Sequence, residues 1–154
     1  MTMTDQSTAG EAVTTEGPFV VDASVAVKWF LPEAHSENAS RVLTSGRTLL
    51  APDLIYPEVG SVLWKRTRAG DITAEEAGAV LRALAGLGLT IYPAWPLVLS
   101  ACELAARTGR SVYDSLYLAL AVQESAVMVT ADERLVNALR DGPLASFVLW
   151  IGDW

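Results

Sequence analysis

Apolar and polar positions along this chain follow two periods in alternation. Short runs rich in β-branched and aromatic residues have the length of strands: Phe19–Val21, Thr48–Ala51, Leu89–Tyr92, Val127–Thr130 and an edge candidate, Phe147–Trp150. Between them, apolar residues recur at helical spacing. The pattern predicts a helix opening at Ser24, then Ser36–Ser45 closed by Gly46, Leu54–Ala69 ending at Gly70, and Thr73–Gly86. Leu97–Thr108 and Val112–Glu124 follow, split by Gly109, and a short helix spans Asp132–Leu139. Ser24 has the side chain of an N-cap. Thr73-Ala74-Glu75-Glu76, Ser111-Val112-Tyr113-Asp114 and Thr130-Ala131-Asp132-Glu133 each have the form of a capping box. Pro57 falls in a first turn, where its missing donor costs nothing. Strands alternating with helices predict the α/β class: a three-layer α/β/α sandwich around a central parallel sheet.

Composition narrows the chemistry. The 154 residues, 51% apolar and 19% charged, suit one globular domain, placed at 18–154 behind an acidic tail at 1–17 expected to be disordered. One cysteine, Cys102, excludes an internal disulfide framework or cysteine zinc cluster, and one histidine, His35, excludes His-pair chemistry. No apolar stretch is long enough for a bilayer, and Met1–Gly17 has neither a basic nor an apolar region of the secretory kind, so a cytoplasmic protein with no membrane partner is expected. The net charge of −7 argues against nonspecific nucleic-acid binding. Residues 1–17 hold Asp5, Glu11 and Glu16 and no base, which leaves 15 acids against 11 bases in the rest. With four acids reserved for a cation, 11 remain against 11 bases, so the acidity does not exclude a nucleic-acid substrate reached through a metal.

Four acids stand at comparable places. Asp22 ends the first strand and Asp132 follows the Val127 strand. Glu58 lies near the start of the helix after the second strand, and Asp114 in the first turn of the helix feeding the Val127 strand. A helix leading into a strand runs antiparallel to it, so its N-terminus lies at the carboxyl edge of the sheet, where α/β proteins bind ligands. All four carboxylates are thereby expected at one edge. Singly, each is explained by the helix macrodipole or a cap. Together they would repel, and some must protonate or bind a cation. Hard oxygen donors suit Mg²⁺ or Mn²⁺, and such ions assist hydrolysis of phosphate esters.

Four segments then occur in order: Phe19-Val-Val-Asp22-Ala-Ser24-Val-Ala-Val-Lys-Trp-Phe30, Ala51-Pro-Asp-Leu-Ile-Tyr-Pro-Glu58-Val, Ser111-Val-Tyr-Asp114-Ser-Leu-Tyr-Leu-Ala-Leu-Ala121 and Thr130-Ala-Asp132-Glu-Arg-Leu135. In these the chain resembles the PIN-domain ribonucleases, specifically the VapC toxins of type II toxin–antitoxin pairs, over about residues 18–150. The resemblance implies a Mg²⁺-dependent endoribonuclease, with Mn²⁺ as a substitute. It implies Asp22 and Asp114 as principal metal ligands, and Glu58 and Asp132 as binding a second ion or orienting the attacking water. Ser24 and Thr130 stand where family members place a hydroxyl that supports the carboxylates. RNA as substrate, a cognate antitoxin and a homodimer follow from the same resemblance. The tail before Pro18 departs from it, since many such toxins begin almost at the first strand.

Other features carry less. Lys65, Arg66 and Arg68 form the best basic cluster, and Lys65 shares a helix face with Glu58, as an RNA contact or as cations at a helix C-terminus. Trp29, Trp64 and Tyr117 read as core or dimer packing, and Cys102 as inert core. Gly86-Leu87-Gly88 precedes a strand and so fails the dinucleotide-binding context. A phospho-acceptor receiver domain would need an acidic pair after the first strand and a lysine after the last, and Phe147–Trp154 holds none. The alternative that remains is a catalytically silent PIN-like domain that binds a partner.

Overall fold

A computed structural model describes residues 16–154, so the expected tail lies, up to residue 15, outside the described residues. The chain forms β1 (Phe19–Val21), α1 (Ala23–Ala26) running into a 3₁₀ turn (Val27–Trp29), α2 (Ser36–Leu43), β2 (Leu49–Pro52) and α3 (Ile55–Ala69). After these come α4 (Ala74–Ala85), β3 (Thr90–Tyr92), α5 (Val98–Thr108), α6 (Val112–Gln123), β4 (Val127–Thr130), α7 (Glu133–Leu139) and β5 (Val148–Trp150). All five strands are parallel, in the order β3-β2-β1-β4-β5. The expected α/β/α class holds. With right-handed crossovers, helices after β1 and β2 cover one face and those between β3 and β4 the other. Accordingly α1 packs on α3, whereas α6 lies against β1, β2 and β4.

Strand order reverses at β1. The chain moves outward through β2 to β3, then returns to lay β4 on the other side of β1, in register from Phe19 opposite Val127 to Val21 opposite Val129. Such a switch point opens a crevice at the carboxyl ends of the strands. The centre of the molecule is built to hold that crevice still. β1 and β2 are buried throughout, and in α6 every residue from Ser115 to Ala121 is buried. A helix apolar all round belongs inside, and its N-terminal turn points at the edge where β1 and β4 end.

Local signals explain the boundaries. Gly70 and Gly109 take φ of 81° and 68°, the left-handed conformation that closes α3 and α5. Thr73 forms the expected box: its hydroxyl accepts from Glu76 N–H (3.1 Å) and its own N–H donates to Glu76 Oε2 (2.7 Å). The other two boxes differ. Ser111 Oγ accepts from Asp114 N–H (3.0 Å) without a reciprocal bond, and α7 is capped by Asp132, whose Oδ1 accepts from Leu135 N–H (3.2 Å). Nor does Ser24 cap α1, which starts at Ala23 with Asp22 in the cap position. At the far end of the sheet, the Arg47 guanidinium stacks on Phe19 and Trp154 (4.4 and 5.4 Å to the ring centroids) and donates to Gly17 O (2.9 Å).

Candidate active site

β1 and β4 end side by side, and two hydroxyls join them. Asp22, 6% exposed, accepts hydrogen bonds on Oδ2 from Ser24 Oγ and Thr130 Oγ1, both at 2.8 Å. Ser24 Oγ in turn accepts from Ala131 N–H (3.0 Å), and Thr130 Oγ1 from Asp132 N–H (3.1 Å). The hydroxyls that resembled helix caps thus face the neighbouring strand end. They hold Asp22 in place and fix the turn that carries Asp132. Burial disfavours a charge at Asp22 and raises its pKa; the Ser24 and Thr130 hydroxyls oppose that shift, and the Asp114 charge adds to it.

Glu58 and Asp114 arrive from the first turns of α3 and α6. Glu58 Oε1 is buried without a hydrogen-bond partner. Its carboxyl is pushed up to about 7 by burial first and then by the Asp22 charge; the Tyr117 hydroxyl opposes the shift and Asp114 adds to it. Asp114 is also raised, by burial and by Asp132, against the holding effect of the Ser111 hydroxyl and the Arg110 guanidinium. Asp22, Glu58, Asp114 and Asp132 are therefore linked by mutual repulsion at one end of the sheet, as their places in the chain predict. Among the described residues, no three Asp, Glu, His or Cys side chains converge tightly enough to enclose an ion as they stand. The donor chemistry nevertheless fits a hard divalent cation: oxygen ligands, carboxylates that repel one another and a buried carboxylate oxygen with no partner.

Some side chains fall elsewhere than their sequence context suggests. Arg66 is taken up by Glu33 and Asp71, Glu33 also binds Lys28, and Arg68 stacks on Trp64, so Lys65 alone of the basic cluster has no internal partner among the described residues. Trp64 is 57% exposed and Cys102 is exposed, so neither is core. Trp29 is half-buried and donates Nε1–H to Ala39 O (2.8 Å). Tyr117 is buried as expected, but its hydroxyl reaches the acids; the signal for this is its spacing, one helical turn after Asp114.

Known proteins share the family and the fold of this chain. The PIN domain family model matches residues 19–139. Ribonuclease VapC3 of Pyrobaculum aerophilum is 34% identical over 120 residues, covering 77% of this chain and 92% of the relative. The chain belongs to the PIN-domain family, among its VapC ribonucleases. Two solved structures have the same fold. One is VapC20 of Mycobacterium tuberculosis, described as a sarcin-ricin loop cleaving toxin (TM-score 0.62, 16% identity, 78% of this chain and 94% of that one). The other is VapBC2 of Rickettsia felis, bound to a DNA fragment from its promoter (TM-score 0.60, 14% identity, 86% and 97%).

Proposed function

We propose that this protein is a metal-dependent endoribonuclease, the toxin of a type II toxin–antitoxin pair. One observation carries the reading: four acids from four separate segments act on one another's charge near the strand-order reversal, with Asp22 buried there and bonded by two hydroxyls. Asp22 and Asp114 are the side chains to hold Mg²⁺ or Mn²⁺. When bound, such an ion supplies charge to steady a phosphodiester under attack. The protein's part is positioning and proton transfer. Ser24 and Thr130 keep Asp22 in one orientation. Glu58, with its carboxyl near neutrality, is suited to take the proton of a water attacking phosphorus. The new P–O bond forms as the P–O bond to the leaving nucleotide breaks, and the departing oxygen takes a proton from solvent water. Asp132 orients the water or binds a second ion.

The names of relatives support the rest. VapC3 is called a ribonuclease, VapC20 a sarcin-ricin loop cleaving toxin, and VapBC2 is described as bound to a DNA fragment from its promoter. A cognate antitoxin and a homodimer belong to this reading. So does a cytoplasmic location. No helix among the described residues is long and apolar enough to cross a membrane.

The test is incubation of the purified protein, freed of partner, with total cellular RNA and Mg²⁺ or Mn²⁺, followed by mapping of new 5′ ends. Discrete cuts that vanish with EDTA and in Asp114→Asn are expected. Absence of both cuts and metal binding would overturn the enzyme reading and leave the partner-binding domain standing.

A further inference from the structure

Tyr117 is placed as a core residue, yet its hydroxyl is not core chemistry. The ring is wholly buried in α6, and its hydroxyl oxygen is buried with no completed hydrogen bond. A phenylalanine would fill the same space without leaving a polar group unpaired. The nearest charges explain the hydroxyl. Glu58 and Asp22 both act on it, and the Ala23 N–H at the start of α1 approaches it. Glu58 Oε1 is the complementary orphan, a buried acceptor without a donor. Two buried polar atoms without a hydrogen-bond partner, one able to donate and one to accept, thus belong to side chains that act on each other. Among the described residues, Tyr117 is the hydroxyl that acts on Glu58, while Ser24 and Thr130 are committed to Asp22.

We propose that Tyr117 is a positioning residue for Glu58: its buried hydroxyl donates to the Glu58 carboxylate and fixes that group's orientation relative to Asp22 and Asp114. A fixed donor beneath a reactive carboxylate keeps one oxygen occupied and leaves the other for water or an ion. Tyr117 meets neither substrate nor reacting atoms. Its catalytic consequence rests on the ribonuclease reading, whereas the contact itself does not.

The experiment has two arms. In the first, Tyr117→Phe, Glu58→Gln and the double variant are compared by single-turnover RNA cleavage with Mn²⁺, with circular dichroism and thermal melts as the folding controls. Tyr117→Phe is expected to lose about tenfold or more in kcat with KM unchanged, the usual size for a partner that orients a site carboxylate. In the Glu58→Gln background, the same change is expected to cost nothing further. Full kcat in Tyr117→Phe, or losses that multiply in the double variant, would overturn the proposal. The second arm is a crystal structure of the wild-type chain, which needs no activity and no variant. A Tyr117 Oη to Glu58 oxygen distance of about 2.5–3.0 Å supports the proposal, and one beyond about 3.5 Å refutes it. Should wild type cut no RNA, the ribonuclease reading fails while this distance still decides the contact.

Discussion

Replacing Glu58 with glutamine should make the metal-free protein more stable at alkaline pH and leave it unchanged in acid. Glu58 titrates at about 7 in the folded chain against 4.5 for a free glutamate, chiefly because burial and the Asp22 charge disfavour its ionised form. The folded state therefore binds more protons than the unfolded state between these values, so stability falls as pH rises through that window. Below it both states are protonated and the penalty is absent; above it the penalty is complete. The rise from 4.5 to about 7 corresponds to about 3.4 kcal/mol at full effect. Glu58 is half-buried, and solvent screening reduces the figure to about 1–2 kcal/mol. For a domain of this size that is about 2–8 °C in Tm. The assay is thermal unfolding of wild type and Glu58→Gln with EDTA at several values from about pH 5 to pH 8, reading the difference between the two curves. The difference should open steadily toward alkaline pH. A difference that stays flat, or a variant that is less stable at about pH 8, would refute the argument from burial and repulsion.

Other outcomes follow from the same contacts. Asp114→Asn should cut RNA cleavage at least about a hundredfold, the equivalent of several kcal/mol of charge stabilisation, with the far-ultraviolet spectrum and Tm of a folded protein. Collapse of the fold in that variant would assign Asp114 a structural role instead. Thr130→Val keeps shape but removes the hydroxyl that bonds both Asp22 and the Asp132 N–H, and should cost about 1–3 kcal/mol in urea unfolding. Thr73→Ala, at the α4 cap far from the acids in the chain, should cost about 1 kcal/mol with cleavage unchanged, which separates loss of stability from loss of site.

The places of the four acids in the fold were legible in the sequence because position along strands and helices is a local property. Apolar periodicity marks the ends of β1 and β4, and the turns that open α3 and α6 carry Glu58 and Asp114. Partner choice is not local. Thr130 and Glu133 have the spacing of a capping box, yet the Thr130 hydroxyl bonds Asp22, 108 positions away in the chain, because β4 lies against β1. Sequence neighbours also fail to fix which helix face is buried. Cys102 and Trp64 sit among apolar residues and still face outward, and the charges of Arg66 are spent on Glu33 and Asp71, which no motif announces. Tyr117 shows the limit most plainly: burial was predictable, but not that its one polar atom would end beside Glu58.

The pairing of β1 with β4 has a consequence for synthesis. Nothing nearer than Ser24 restrains Asp22 until Thr130 arrives, and α6 and β4 are among the last parts of the domain to be made. Contacts of such long range form late, and a growing chain cannot make them at all until the second strand has left the ribosome. A nascent chain stalled before β4 carries three of the four acids and no seam to set them against. The buried setting of Asp22 is therefore completed only once β4 has been made and has paired with β1.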